Sequence, residues 1–200
     1  MAKYIDQILG KYLDDLSAKL PAPGGGSASA LVGAVGVSCL LMVANFTVDK
    51  KGYEPYRDEI KSIIEMLEKC RKELTELIDL DVETYTSVRD AYKSKDDRMI
   101  QNSLKSALSV PEKILLVCFD ALSPAKRLAE IGNKNLISDI TCGVLFLQSA
   151  ILSAKENIEI NLKSITEKNF IEMKNKLINP KCQESKKLSD EILKLTSLKG

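Results

Sequence analysis

The 200-residue chain contains no histidine and no tryptophan. Without histidine there is no Ser-His nucleophile pair, no imidazole zinc ligand and no imidazole acid or base. Proton transfer is left to Asp, Glu, Lys, Tyr or Cys. The five cysteines, Cys39, Cys70, Cys118, Cys142 and Cys182, are odd in number, widely spaced and never in a C-x-x-C pair. That spacing argues against a zinc site or a redox motif. Each lies in a helical pattern, several among apolar neighbours, where cysteine packs as a small hydrophobe. An excess of one charge is also missing: 29 basic and 28 acidic residues leave a net charge of +1. The lysines are dispersed among acids and read as solvated helix faces, so neither nucleic acid nor an acidic surface is an expected partner. No signal peptide is recognisable, and reduced thiols point to the cytoplasm.

Charge is absent over one long stretch, from Leu20 to Val48. Within it, Ala28 to Phe46 approaches the length of a membrane span. Ser27, Ser29, Ser38, Asn45 and several glycines dilute its hydrophobicity, and no aromatic anchors or basic flank mark its ends. A buried central helix is the expectation, with no membrane involved. The membrane alternative predicts that this helix faces lipid.

The remainder reads as helix throughout, since neither strand alternation nor hairpin turns occur. Ile5, Ile8, Leu9, Tyr12, Leu13 and Leu16 predict an amphipathic helix over 3–20. A second is predicted over about 27–46, with Ala30, Ala34 and Ser38 on one stripe and Ser29 and Gly33 on another. Small residues so spaced suit close backbone approach in a core helix, or at a symmetric subunit contact. Residues 54–93 carry a heptad-like apolar series and predict one long bundle helix. A helix over 96–108 follows. Pro111 opens the next in the first turn, Pro124 kinks or splits it, and Gly132-Asn133 caps its end. A long helix over 136–165 precedes two polar amphipathic helices on either side of Asn179-Pro180. The expected fold is a single all-α domain over residues 1–200.

Four groups of residues stand out chemically. Pro21-Ala22-Pro23-Gly24-Gly25-Gly26-Ser27 joins a stiffened approach to three glycines and a serine at a helix start. Glycines admit close backbone approach, and a helix N-terminus favours an anion; an ordinary loop capped by Ser27 explains the same residues. Asp81 falls on the apolar stripe of the long helix, whereas Asp79 shares the outer face with Glu68, Lys72 and Thr75. An inward carboxylate is costly unless it is paired, hydrogen-bonded or facing a cleft, so Asp81 is either functional or a structural carboxylate. Asp139, Gly143, Ala150, Ala154, Asn157 and Asn161 track one face, which lines a groove or makes a close helix contact. Lys50, Lys51 and Tyr53 follow the uncharged helix, as a lowered-pKa lysine beside a buried helix end or as a solvated turn.

Taken together, five segments resemble the formiminotransferase-cyclodeaminase C-terminal family, including its free-standing methenyltetrahydrofolate cyclohydrolases. They are Pro21 to Ser27, Lys50 to Tyr53, Leu77 to Asp81, Gly132 to Asp139, and Asn157 to Asn161. The likeness runs from about residue 3 to 165, and no formiminotransferase domain accompanies it. The resemblance implies an all-helical homodimer with a folate site in a cleft near the subunit interface. It implies either hydrolysis of 5,10-methenyltetrahydrofolate to 10-formyltetrahydrofolate or cyclodeamination of 5-formiminotetrahydrofolate with release of ammonia. The catalytic set it implies is Asp81, Lys51, Lys50 and Asp139, with Lys51 ahead of Lys50 as proton donor. Pro23, Gly24, Gly25, Gly26, Ser27, Tyr53, Asn133 and Asn135 would bind the substrate. No metal and no cofactor beyond the folate itself is expected. A non-catalytic helical interaction protein is the competing class, and it predicts Asp81 locked in a salt bridge.

Overall fold

A computed structural model describes residues 4–6 and 8–198. Seven α-helices account for most of them: α1 Leu9–Ser17, α2 Gly25–Val48, α3 Arg57–Ser94, α4 Asp97–Asp120, α5 Leu122–Ile131, α6 Ile137–Lys163 and α7 Lys168–Ser197. Among the described residues there is no strand. The uncharged helix α2 packs chiefly against α3 and α6, and α4 closes a four-helix core by packing on the same two. Leu40, Leu67, Leu74, Leu108 and Leu147 are completely buried there. α5 and α7 lie on the α6 side.

Small residues let α2 and α6 touch. A Cβ on Gly36 would stand 2.9 Å from the Gly143 carbonyl oxygen, and one on Gly143 would stand 3.0 Å from that of Gly36. The two backbones are therefore in direct contact where the helices cross antiparallel. Gly33 plays the same part toward α3 and α4, where an added Cβ would meet the Cys118 thiol at 2.7 Å and Leu74 at 3.3 Å. Burial raises the thiol of Cys70 to about 11, and raises that of Cys118 as well.

Several boundaries differ from the sequence expectation, each for a physical reason. The first helix is shorter, a 3-10 turn at Tyr4–Asp6 followed by α1, and its apolar stripe is not a core face. Tyr12 is buried, whereas Ile8, Leu9 and Leu13 are exposed. The start of that expected helix, and the side chain of Ile5, lie outside the described residues. Pro111 opens no helix but sits inside α4. A continuous, buried helix outweighs the one missing N–H, which leaves the Ala107 carbonyl without its helical donor. Pro180 likewise sits inside α7, which is one helix and not two. It lies on the exposed side, where a missing helical donor costs least. Pro124 does divide its segment, with α4 ending at Asp120 and α5 beginning at Leu122. Gly132 ends α5 at φ −73°, outside the left-handed region. Its requirement is space, because a Cβ would fall 2.4 Å from the Leu128 carbonyl oxygen.

The central helix is not enclosed on all sides. One stripe, including Val35, Met42 and Phe46, is open, and α6 shows a matching stripe through Leu145, Phe146 and Leu152. By length and composition both helices are apolar enough to cross a membrane. Only the first stood out in the sequence.

Gly36→Ala drives a methyl into a backbone oxygen and is expected to destabilise the protein by about 1–3 kcal/mol. Gly10→Ala, with nothing within 4 Å of the added Cβ, stabilises α1 by up to about 1 kcal/mol. Urea unfolding of the two variants against wild type measures both.

Candidate active site

Ser27, in the first turn of α2, donates its backbone N–H to Asp81 Oδ2 of α3 at 2.9 Å. Asp81 thereby satisfies one of the orphan donors at the helix start and lies at the positive end of the helix dipole. The residue expected to cap α2, Ser27, does not do so. Gly24 is the N-cap, without a side chain to offer, and Asp81 supplies the oxygen from another helix. The Ser27 hydroxyl instead hydrogen-bonds the buried Tyr12 hydroxyl at 3.1 Å. Gly26 is obligatory at this junction, because an added Cβ would stand 2.1 Å from Asp81 Oδ1.

This corner opens into a cavity of about 340 Å³. One wall is the loop and first turn, Pro21, Ala22 and Gly24 to Gly26. The α3 wall carries Asp81, Thr84, Tyr85 and Val88, and the far side is Ala107 of α4 with Asn157, Ile160 and Asn161 of α6. Its size lies within the roughly 300–1,000 Å³ of small-ligand clefts. The walls are largely apolar, with one carboxyl and two amides converging. Asn157 Nδ2 donates to the Ser153 carbonyl at 2.8 Å, which fixes its amide against Gly25. Burial raises the Asp81 carboxyl above its ordinary pKa, and the Ser27 N–H opposes this in part. A desolvated acid held by one backbone donor beside an open cavity is suited to exchange protons or to neutralise a bound cation. Among the described residues Asp81 makes no salt bridge of the kind expected of a merely structural carboxylate; its hydrogen-bond partner there is the Ser27 N–H.

The other expected site residues are elsewhere. Pro23 is buried behind the loop, following a cis peptide bond from Ala22. Lys50, Tyr53, Asn133 and Asn135 gather beyond the opposite end of α2, about 35 Å from Ser27 at 1.5 Å per helical residue. There Lys50 Nζ donates to Asn133 Oδ1 at 2.7 Å and stands 5.7 Å from the centre of the Tyr53 ring. The buried Asn133 donates its N–H to Thr47 Oγ1 at 3.0 Å, and Asn135 donates its own to Asn133 Oδ1 at 3.2 Å. Tyr53 accepts from the Lys134 N–H at 3.3 Å. Lys50, not Lys51, is the lysine engaged in this cluster; Lys51 is exposed. Asp139, in the first turn of α6, belongs to this end too, beside Cys39 and Cys142. The supposed stripe from Asp139 to Asn161 therefore divides: Gly143, Ala150 and Ala154 are buried, and only Asn157 and Asn161 reach the cavity.

Tyr12 and Asp79 were missed as contributors. Asp79 is not an outer-face acid but accepts the Tyr4 N–H at 2.7 Å. Tyr4 in turn stacks edge-on against Tyr12 at 5.2 Å between ring centres. The N-terminal segment is thus latched over the start of α2. A tyrosine in an otherwise aliphatic stripe was the available signal. Among the described residues no three acidic or thiol groups converge as a metal site would require.

Gly26→Ala pushes the Asp81 carboxylate out of its place. The expected outcome is loss of ligand binding with a drop in melting temperature, read by calorimetry of the variant with and without a tetrahydrofolate derivative. Gly24→Ala, with open space at its Cβ, serves as the tolerated neighbour.

Comparison with known proteins follows the same outline. Residues 8–179 match the formiminotransferase-cyclodeaminase family. A methenyltetrahydrofolate cyclohydrolase from Methylorubrum extorquens is 35% identical over 190 residues, 90% of this chain and 91% of that protein. The formimidoyltransferase-cyclodeaminase of Gallus gallus is 28% identical over 94% of this chain, which spans only 36% of that longer protein. The crystal structure of a formiminotetrahydrofolate cyclodeaminase from Thermotoga maritima is 34% identical, with a TM-score of 0.86, covering 97% of this chain and 96% of that one. The chain belongs to the formiminotransferase-cyclodeaminase family.

Proposed function

We propose that this chain is a methenyltetrahydrofolate cyclohydrolase, adding water across the methenyl bridge of 5,10-methenyltetrahydrofolate to give 10-formyltetrahydrofolate. The observation that carries the reading is the Asp81 carboxyl, desolvated and set in an open cavity against the glycine loop. Support comes also from the cyclohydrolase whose length this chain matches almost throughout.

The substrate bridge is a cationic carbon between N5 and N10, and an anionic Asp81 offsets that charge. Water attacks the bridge carbon as Asp81 accepts one of its protons. The resulting tetrahedral carbon loses its bond to N5, which takes up a proton, and the formyl group stays on N10. One water is consumed and one proton is released overall. Asn157 and Asn161 offer paired donor and acceptor groups to the pterin ring edge, and the apolar Val88 and Ile160 pack against its face. No step requires histidine, a metal or another cofactor.

A cyclodeaminase reading is kept because the Thermotoga protein and the longer animal proteins bear that name. Cyclisation of the formimino group passes through the same kind of tetrahedral carbon and then expels ammonia. The proposed setting is the cytoplasm, in keeping with five free thiols, and the proposed assembly is a homodimer through the open α2 and α6 stripes. No nucleic-acid or membrane partner is proposed.

Asp81→Asn keeps an acceptor for the Ser27 N–H but no base. Loss of methenyl absorbance, followed at saturating substrate, is expected to slow by about 10²–10⁴-fold; near-full turnover would remove Asp81 from the chemistry. Ammonia release from the formimino compound separates the two activities.

Stability supplies an independent check. Burial raises the folded Asp81 pKa, so the folded state holds that proton more tightly than the unfolded chain, whose aspartate titrates near ~3.9. Folding is then penalised as pH rises through the unfolded value toward the folded one, and the penalty persists above both. At neutral pH Asp81→Asn is expected to melt no lower than wild type. Any advantage should fade as the pH falls from the folded value toward the unfolded one and be absent below it, in thermal melts across an acid series.

A further inference from the structure

A proline inside a helix removes the donor that serves the carbonyl four residues earlier. In α4 that proline is Pro111 and the carbonyl is that of Ala107. Both residues are buried. A buried backbone acceptor without a donor is uncommon in native folds, where such groups find a side chain, a water or a ligand. The nearby Ser109 hydroxyl does not serve, because it donates to the Ser106 carbonyl at 2.6 Å. The turn is also pinned in place. Val110 and Glu112, on either side of the proline, are buried, and Glu112 is held by the Lys174 amine, which stands 5.4 Å from the centre of the Phe170 ring.

Among the described residues, Ala107 is the one that α4 contributes to the Asp81 cavity. Alanine has no side chain beyond Cβ to screen its backbone from that space. A hydroxyl and an amide on the same walls already have partners. Thr84 Oγ1 donates to the Leu80 and Asp81 carbonyls, each at 3.0 Å, and Asn157 Nδ2 donates to that of Ser153. The Ala107 carbonyl has no such partner from the next turn of its helix. We propose that it is a specificity-determining acceptor of this cavity, freed by Pro111 to take a hydrogen bond from a ring N–H of the ligand.

On the folate reading, on which the identity of the ligand rests, the donor is N8–H of the reduced pterin. Asp81 attends the one-carbon bridge at N5, and N8 is the ring atom directly across from N5. Ala107 lies on the far side of the cavity from the glycine loop, with Asn157 and Asn161 beside it for the pyrimidine edge. N8 carries a hydrogen in the tetrahydro form. In fully oxidised folate it is a bare pyrazine nitrogen, whose lone pair would meet the lone pairs of the carbonyl. One backbone oxygen thereby reads the oxidation state of the ring and favours the reduced form. Pro111 is the positioning residue. An N–H at position 111 would engage the carbonyl within the helix before any ligand arrived.

Calorimetric titration of wild type and Pro111→Ala with tetrahydrofolate and with its 8-deaza analogue, in which CH2 replaces N8–H, tests the contact as a cycle. Wild type is expected to bind the analogue about tenfold more weakly, since the analogue leaves a buried acceptor unpaired. Pro111→Ala is expected to lose about the same factor for tetrahydrofolate and to bind the two ligands alike. Pro180→Ala makes the same chemical change on the exposed side of α7 and should alter neither affinity. Equal weakening of both ligands in Pro111→Ala, with the discrimination intact, means that the proline only supports the fold, and it overturns the proposal. Equal binding of the two ligands by wild type overturns it as well, and that result is read whether or not the variant folds. Wild type that binds neither ligand overturns the folate reading and the N8 assignment with it. Binding of both without coupling overturns the assignment alone.

Discussion

The hydrogen bond from the Ser27 N–H to Asp81 joins three things that are usually separate: the start of a central helix, the floor of a cavity and the placement of an acid. Helix starts carry donors without internal partners, and a buried start must find acceptors elsewhere. In α2 the local sequence offers only glycines, so the acceptor comes from α3, 54 residues away. The glycines are what permit this. With any side chain at Gly26 the carboxylate could not approach, and with a bulky Gly25 the Asn157 amide would lose its place. Behind the junction, the Tyr12 hydroxyl holds the Ser27 side chain, while Tyr4 and Asp79 hold Tyr12 in turn. The loop, α1 and α3 are thereby tied to one carboxyl group.

Such a group is poised for the proposed chemistry because its two stabilising influences are incomplete. Desolvation disfavours its charge, and one backbone donor with a helix dipole favours it without fully compensating. A cationic substrate in the cavity would favour the charged form further. The ionised carboxylate is the form that can accept a proton from water.

The sequence showed the helical class, the glycine loop and the inward position of Asp81, since each is a local signal of periodicity or composition. Asp81 could be singled out because Leu77, Ile78 and Leu74 share its face of α3. It could not be seen that Ser27 is its partner, because that contact depends on how α2 crosses α3. The prolines were misread for a related reason. Pro111 and Pro180 look like helix boundaries by their missing N–H, but long-range packing of α4 and exposure on α7 settle that cost differently. Lys50 and Asp81 were placed in one site because motif order carries no distance. Helix rise alone, applied to Gly25–Val48, separates them within a chain.

Hydropathy identified α2 correctly as unusual and could not say why. A membrane span, an enclosed core helix and a subunit contact all select the same uncharged, small-residue composition. The distinction lies in how the small residues are distributed around the helix. Gly33 and Gly36 face inward, where neighbouring atoms stand closer than a methyl would allow. The larger Val35, Met42 and Phe46 face outward. A fully enclosed core helix would carry no such outward stripe, so α2 is a core helix on its Gly33 and Gly36 side and an open apolar surface on the other.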